Sequence, residues 1–243
     1  MRLDELHQEF LTCLEVERNY SPLTTGAYRS DFKIFASFLE EAGLPSLLET
    51  VDRSALRRYV AWLKRRGLAP TTVGRRINSL RSFWNYLRDT DYTERDPFFR
   101  MSLPKTPQEV PTHLSAEEAE ALLAAAQRQA CLFNAFRDTA ILSVLLYTGV
   151  RRSELLSLAL TDADLSAGAL QVVSGKGRKS RVLPLLPAPC AALSDWLELR
   201  PEDCGHDRVF TCKWGAPMSR SGLASCLRRA LNRAGITRPG ITL

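Results

Sequence analysis

The chain has 243 residues, 45% hydrophobic and 25% charged, an ordinary globular composition with enough core for one large domain or two smaller ones. Lys and Arg number 33 against 27 acids, giving a net charge of +6 and an isoelectric point near 9.1, and only six of the basic residues are lysines. No apolar run approaches the roughly 18 residues of a membrane span, and the start, MRLDELHQEF, lacks the basic-then-apolar order of an export signal, so a soluble cytoplasmic protein with no membrane partner is expected.

Residues 1 to about 90 read as four helices, near 3–17, 22–42, 52–66 and 71–89. Ser21-Pro22 is a cap followed by proline in the first turn, and Gly43 closes that second helix. In the third, Leu56, Tyr59, Val60 and Leu63 mark one buried stripe, and Gly67 follows as a stop. Thr71 or Thr72 opens the fourth, with Val73, Ile77, Leu80, Trp84 and Leu87 on one face; Phe83, Trp84 and Tyr86 are expected in the core. From Arg53 to Arg88 there are ten basic residues and no acid, with Arg57, Arg58, Lys64, Arg65, Arg75, Arg76 and Arg81 among them. A solvated helix face is the ordinary explanation of a basic helix, but such faces normally mix signs because like charges at i,i+4 repel. Arg75, Arg76 and Arg81 are expected to point to solvent or to phosphate.

Between residues 92 and 110 the apolar periodicity fails and Pro97, Pro104 and Pro107 recur, a semi-rigid linker pattern. Ser115-Ala-Glu-Glu118 is a capping box that opens a second block, residues 111–243. Phe136 to Leu146 is a strongly apolar helix ending at Thr148-Gly149, and Arg151-Arg152-Ser153-Glu154 leads at once into a short helix through Leu158. Two β-rich runs, Leu170–Val173 and Arg181–Leu185, flank the glycine-bearing loop Ser174-Gly-Lys-Gly-Arg-Lys179, a hairpin signature. Helices follow at Pro187–Leu199 and Ser219–Ala234. A second acid-free stretch, Arg208 to Leu243, carries seven cations, including Arg220 and Arg228. Two such stretches favour a polyanionic partner. The fold class expected is mainly α, with one small β-hairpin.

Six cysteines lie scattered without a C-x-x-C pair; reduced structural thiols are expected, since Cys204, His206 and Cys212 match no common zinc spacing. Two features carry chemistry. Arg151 sits just past a helix-ending glycine between apolar helices, where its planar fork suits two oxygens of one phosphate, and Lys176 sits at a hairpin tip between Gly175 and Gly177. The residues alone leave the alternatives open: a surface cation at a helix terminus, and a solvated turn lysine.

The segment Tyr147-Thr-Gly-Val-Arg-Arg-Ser-Glu-Leu155 resembles the first catalytic box of the tyrosine recombinases, the integrase and Xer-type family. Val173-Ser-Gly-Lys-Gly-Arg-Lys-Ser-Arg-Val-Leu-Pro-Leu185 is similar to its β-hairpin lysine box. Pro111-Thr-His-Leu-Ser-Ala-Glu-Glu118 resembles the lead-in to its catalytic domain, and Ser21, Thr24, Tyr28, Phe35 and Phe38 resemble its N-terminal helix pattern. The resemblance spans nearly the whole chain. It implies a four-helix, SAM-like core DNA-binding domain over 1–91, a linker over 92–110, and an α+β catalytic domain over 111–243. It further implies site-specific recombination of double-stranded DNA through a 3′-phosphotyrosyl intermediate, with no metal or nucleotide cofactor, and assembly as a homo- or heterotetramer on DNA when full length.

In that scheme Arg151 holds the non-bridging oxygens of the scissile phosphate, with Arg152 as its adjacent rival. Lys176 protonates the 5′-oxygen leaving group, and Glu154 supports the site. Arg178, Lys179 and Arg181 add positive field around the lysine, and both acid-free stretches contact phosphates. The family's His-x-x-Arg box, its further His or Trp and its nucleophilic Tyr fall downstream of Gly235-Ile-Thr-Arg-Pro-Gly-Ile-Thr-Leu243. None of Tyr20, Tyr28, Tyr59, Tyr86, Tyr92 and Tyr147 matches the nucleophile, nor do His7, His113 and His206 stand in the histidine boxes. The expectation is therefore a fragment lacking its nucleophile, which binds DNA without cleaving it. The alternatives are a non-catalytic DNA-binding regulator or accessory protein derived from this family and, on charge alone, an RNA-binding module.

Overall fold

The computed structural model describes residues 1–101, 112–173 and 180–242. The chain divides into two units, Met1–Glu109 and Val110–Leu243, each with its own core.

In the first unit, helices α1 (Leu3–Val16), α2 (Pro22–Glu41), α3 (Arg53–Arg65) and α4 (Pro70–Asp89) form where caps and apolar stripes dictate. The Ser21 hydroxyl accepts from the Thr24 amide, and the Asp52 carboxylate accepts from the Ala55 amide at 2.7 Å. At α4 proline decides the start. Pro70, rather than either threonine, takes the first helical position, where its missing N–H costs nothing. The stripes meet in an aromatic core: Phe35 lies edge-on to Tyr59 at 5.0 Å, and His7 stacks on Phe32 at 4.0 Å. Phe83, Trp84 and Tyr86 are buried there as expected. The segment after α4 does not leave this body at once. Phe98 is buried against Trp84, their rings 6.0 Å apart, so packing on the first unit extends beyond residue 92, where the linker was expected to begin. Pro104, Pro107 and Pro111 lie outside the described residues.

The second unit opens with α5 (Ala116–Gln127), whose capping box is complete: the Glu118 amide donates to the Ser115 hydroxyl, and Glu118 accepts from the Ser115 amide at 2.8 Å. Next come α6 (Leu132–Thr148) and the one-and-a-half-turn α7 (Arg152–Ser157). Strands β1 (Ala163–Asp164), β2 (Ala169–Val173) and β3 (Ser180–Pro184) form an antiparallel sheet in the order β1-β2-β3. Helices α8 (Pro187–Leu199) and α9 (Arg220–Arg233) complete the unit. Helix α6 begins four residues before Phe136, and β1 is an addition to the expected hairpin. Leu170 and Val172 of β2 point into the core, and their cross-strand partners are Leu183 and Arg181. Helix α8 is locked to the core through Trp196, which faces Phe133 edge-on and donates its indole N–H to the Val209 carbonyl at 2.9 Å.

Candidate functional site

The site is assembled around the exit of α6. Gly149 ends that helix in the left-handed conformation at φ +63°, a geometry that glycine adopts without the steric cost of a Cβ. The chain reverses there, and Arg151 becomes the extended residue that caps α7. Three residues on, Glu154 is buried and gathers four hydrogen bonds. Its Oε2 accepts from the Arg151 amide at 2.9 Å and from Arg181 Nη2 at 2.7 Å; its Oε1 accepts from Arg151 Nη1 at 2.9 Å and from Arg181 Nη1 at 3.0 Å. The Arg181 fork above all, then the Arg151 amide and guanidinium, hold the Glu154 carboxyl down at about 2 against the opposing effect of burial. Glu154 is therefore a fixed anion at neutral pH. The Arg151 side chain, tethered at its base and through one Nη, remains 71% exposed.

Arg151 borders a cleft of about 580 Å³ whose apolar wall includes Leu142, Leu145 and Leu227 and whose cationic rim is Arg151, Arg152 and Arg220. Three cations on an open depression can engage an anion with several oxygens. Lys176, Arg178 and Lys179 lie outside the described residues.

The acid-free stretches resolve into two kinds of cation. Arg57, Arg58, Lys64 and Arg65 on α3, and Arg220 and Arg228 on α9, are exposed and, among the described residues, have no carboxylate partner. Arg75, Arg76 and Arg81 are engaged within the first unit, although the Arg75 side chain stays 54% exposed. Arg75 grips the buried Asp31 with both terminal nitrogens, one at 2.8 Å; Arg76 is largely covered, 3.8 Å from the same carboxylate; and Arg81 lies over the Phe98 ring. Arg66 reaches Glu41 at 2.6 Å and Arg229 reaches Asp138 at 2.8 Å. The acids come from distant parts of the chain, so a stretch without acids in sequence is not a stretch without them in space.

Arg181 shares this fate. It stands opposite Val172 on the inward face of β3, in step with Leu183, and spends its fork on Glu154. Sequence reasoning placed it with the field around the lysine and missed this role. The signal was present, because Arg181, Leu183 and Leu185 alternate on one face of the strand.

Of the thiols and histidine weighed as metal ligands, Cys204 Sγ lies 3.0 Å from the Pro201 carbonyl, and both ring nitrogens of His206 are engaged, Nε2 with the Gly215 carbonyl at 2.8 Å and Nδ1 accepting from the Arg208 amide. All six cysteines are free thiols, and among the described residues no group of three potential ligands converges. The turn tied down by His206 carries Trp214 at its tip, 88% exposed.

The model of the phage integrase family matches residues 112–242, more than half of the chain, and that of the phage integrase N-terminal SAM-like domain matches residues 7–90. The chain belongs to the phage integrase family of tyrosine recombinases. It is 34% identical over 239 residues to tyrosine recombinase XerC of Listeria welshimeri, covering 96% of this chain and 79% of that one. It is 31% identical over 242 residues to tyrosine recombinase XerD of Listeria innocua, covering 98% and 80%. Among solved structures, the Tn1549 transposon integrase in complex with a circular intermediate DNA superposes with a TM-score of 0.77 at 18% identity, covering 98% of this chain and 80% of that one. That likeness is one of fold: a mostly helical recombinase with a SAM-like N-terminal domain and a catalytic domain bearing a small antiparallel sheet.

Proposed function

We propose that this chain is the DNA-engaging body of a site-specific tyrosine recombinase. In this reading it clasps duplex DNA through phosphates, and the guanidinium of Arg151 holds the non-bridging oxygens of one phosphodiester. The observation that carries the reading is Arg151 itself: its base is fixed by Gly149 and Glu154, yet its side chain is 71% exposed beside Arg152 and Arg220. A guanidinium held in place and open to solvent is pre-organised for two oxygens of a phosphate, and it stabilises the charge that builds as the phosphorus becomes five-coordinate. Glu154, ionised throughout the working pH range, keeps that fork oriented. Lys176 is assigned as the general acid that delivers a proton to the departing 5′-oxygen. Arg57, Arg58, Lys64, Arg65, Arg220, Arg228, Arg178 and Lys179 supply further phosphate contacts, and assembly on DNA as a homo- or heterotetramer belongs to the same reading.

None of the six tyrosines lines the cleft beside Arg151. The covalent 3′-phosphotyrosyl step is accordingly not assigned to these 243 residues.

Binding to labelled duplex DNA across a salt series tests the reading. With about six phosphate contacts, affinity should fall about a thousandfold between about 50 and 200 mM salt. Arg151→Gln should weaken binding and reduce the slope of log K against log salt by about 0.9. On a nicked duplex that traps covalent intermediates, no adduct should survive denaturation. Salt-independent binding, equal affinity for an RNA hairpin, or a covalent adduct would each overturn it.

A further inference from the structure

The inference concerns Arg181 and rests on the reading of Arg151 as the phosphate fork. The Glu154 carboxylate has about four good acceptor positions, and all four are filled: two by Arg151, through its amide and Nη1, and two by the parallel nitrogens of Arg181. Arg181 comes from β3, whose inward register opposite Val172 delivers the guanidinium to Glu154 from the protected side of the sheet. Its side chain is half as exposed as that of Arg151, 36% against 71%. The two arginines are thus held by one buried anion, one facing the sheet and the other the open cleft. Without the Arg181 fork, Glu154 would have both oxygens available to Arg151 alone and would draw that guanidinium into a two-point pair of its own, away from the cleft.

We propose that Arg181 is a positioning residue of the recombinase site: by occupying half of the Glu154 carboxylate it limits Arg151 to a single-nitrogen tether, leaving the rest of the Arg151 fork for phosphate. The same contact fastens the strand that follows the lysine-bearing loop to the helix that follows Arg151. Arg181 acts through Glu154 and does not itself touch DNA.

The test compares the 243-residue chain with Arg181→Met, Arg181→Lys, Glu154→Gln and the Arg181→Met/Glu154→Gln double variant. Duplex binding across salt is read alongside two NMR signals, the Glu154 carboxyl carbon between pH 7 and 4 and the Arg151 Nε–H. For Arg181→Met, affinity should drop about tenfold, the factor that one charge-assisted hydrogen bond is worth, with an unchanged salt slope. The double variant should be no weaker than Glu154→Gln alone. The Glu154 signal, still that of a carboxylate at pH 4 in the parent, should begin to titrate in Arg181→Met, and the Arg151 Nε–H should shift although Arg151 is intact. Arg181→Lys, which keeps the charge and loses the fork, should restore in part the parent's untitrated Glu154 signal at pH 4, and restore the Arg151 signal less.

A salt slope lower by about 0.9 in Arg181→Met, with losses that add in the double variant, would make Arg181 a direct phosphate contact and overturn the proposal. An Arg151 signal unmoved by Arg181→Met would overturn it as well. If the parent chain shows no salt-dependent duplex binding, the functional reading fails on its own, and the two NMR signals still decide whether Arg181 sets the state of Arg151.

Discussion

Single side chains in this protein owe their behaviour to what surrounds them. His7 is buried in the first core, stacked on Phe32 and edge-on to Phe83 at 5.1 Å, and burial, assisted by the nearby Arg29 charge, pulls its pKa down to about 4. In the unfolded chain the same imidazole takes up a proton near 6.5. The unfolded state therefore binds more protons than the folded one between these values, and stability falls as the pH drops from about 6.5 toward 4. Replacing His7 with Phe keeps an aromatic plane against Phe32 and removes the titration. Urea unfolding at pH 7 and pH 5 should show a smaller acid-induced loss in the His7→Phe variant than in the parent; equal losses would rule out His7 as the source. Glu154 works in the same direction at lower pH. Its carboxyl is held near 2, so its contribution is complete above the ordinary carboxylate range and disappears as the pH falls from about 4.5 toward 2.

At the level of helices and strands, the critical element boundary is the reversal between α6 and α7. A Cβ built on Gly149 meets no atom within 4 Å, so Gly149→Ala tests backbone conformation alone. The φ of +63° should make that substitution destabilising by about 1 kcal/mol, seen as a lower urea midpoint at unchanged slope. Arg151 lies two residues on, so duplex binding should weaken in the same variant. This boundary was legible in the sequence because a glycine follows an apolar helix. The helix starts at Ser21 and Ser115 were legible because short polar side chains satisfy the free amides of a first turn. Cys131 offers no such acceptor, and the start of α6 was accordingly placed four residues late. Strand β1, two residues long, is too short for any alternation to show. The pairing of Asp31 with Arg75, and that of Glu154 with Arg181, links residues 44 and 27 positions apart. Such contacts arise from the packing of whole elements, and no local pattern announces them. The neighbourhood of Arg151 and Glu154 was readable from their spacing at a helix start; the division of the basic stretches into committed and open cations was not.

For the whole molecule, the decisive feature is that there are two cores rather than one. The aromatic cluster of α1–α4 is completed by Phe98, which lies beyond the helices themselves. A fragment of residues 1–101 should therefore unfold cooperatively by circular dichroism, as a domain of about 100 residues can. A fragment of residues 1–91, deprived of Phe98, should be less stable by about 2 kcal/mol, the value of burying one such side chain. Equal stability of the two fragments would show that Phe98 contributes nothing to that core.

The tryptophans extend this division into spectroscopy. Trp62 and Trp84 are buried in the first unit and Trp196 in the second, whereas Trp214 stands in solvent at its turn. Iodide should quench the red-shifted emission of Trp214 and leave that of Trp84 and Trp196 nearly untouched. Because Trp214 belongs to the second unit, its quenchable emission is a built-in optical label with which the response of that half to DNA can be followed apart from the buried tryptophans, without any added dye.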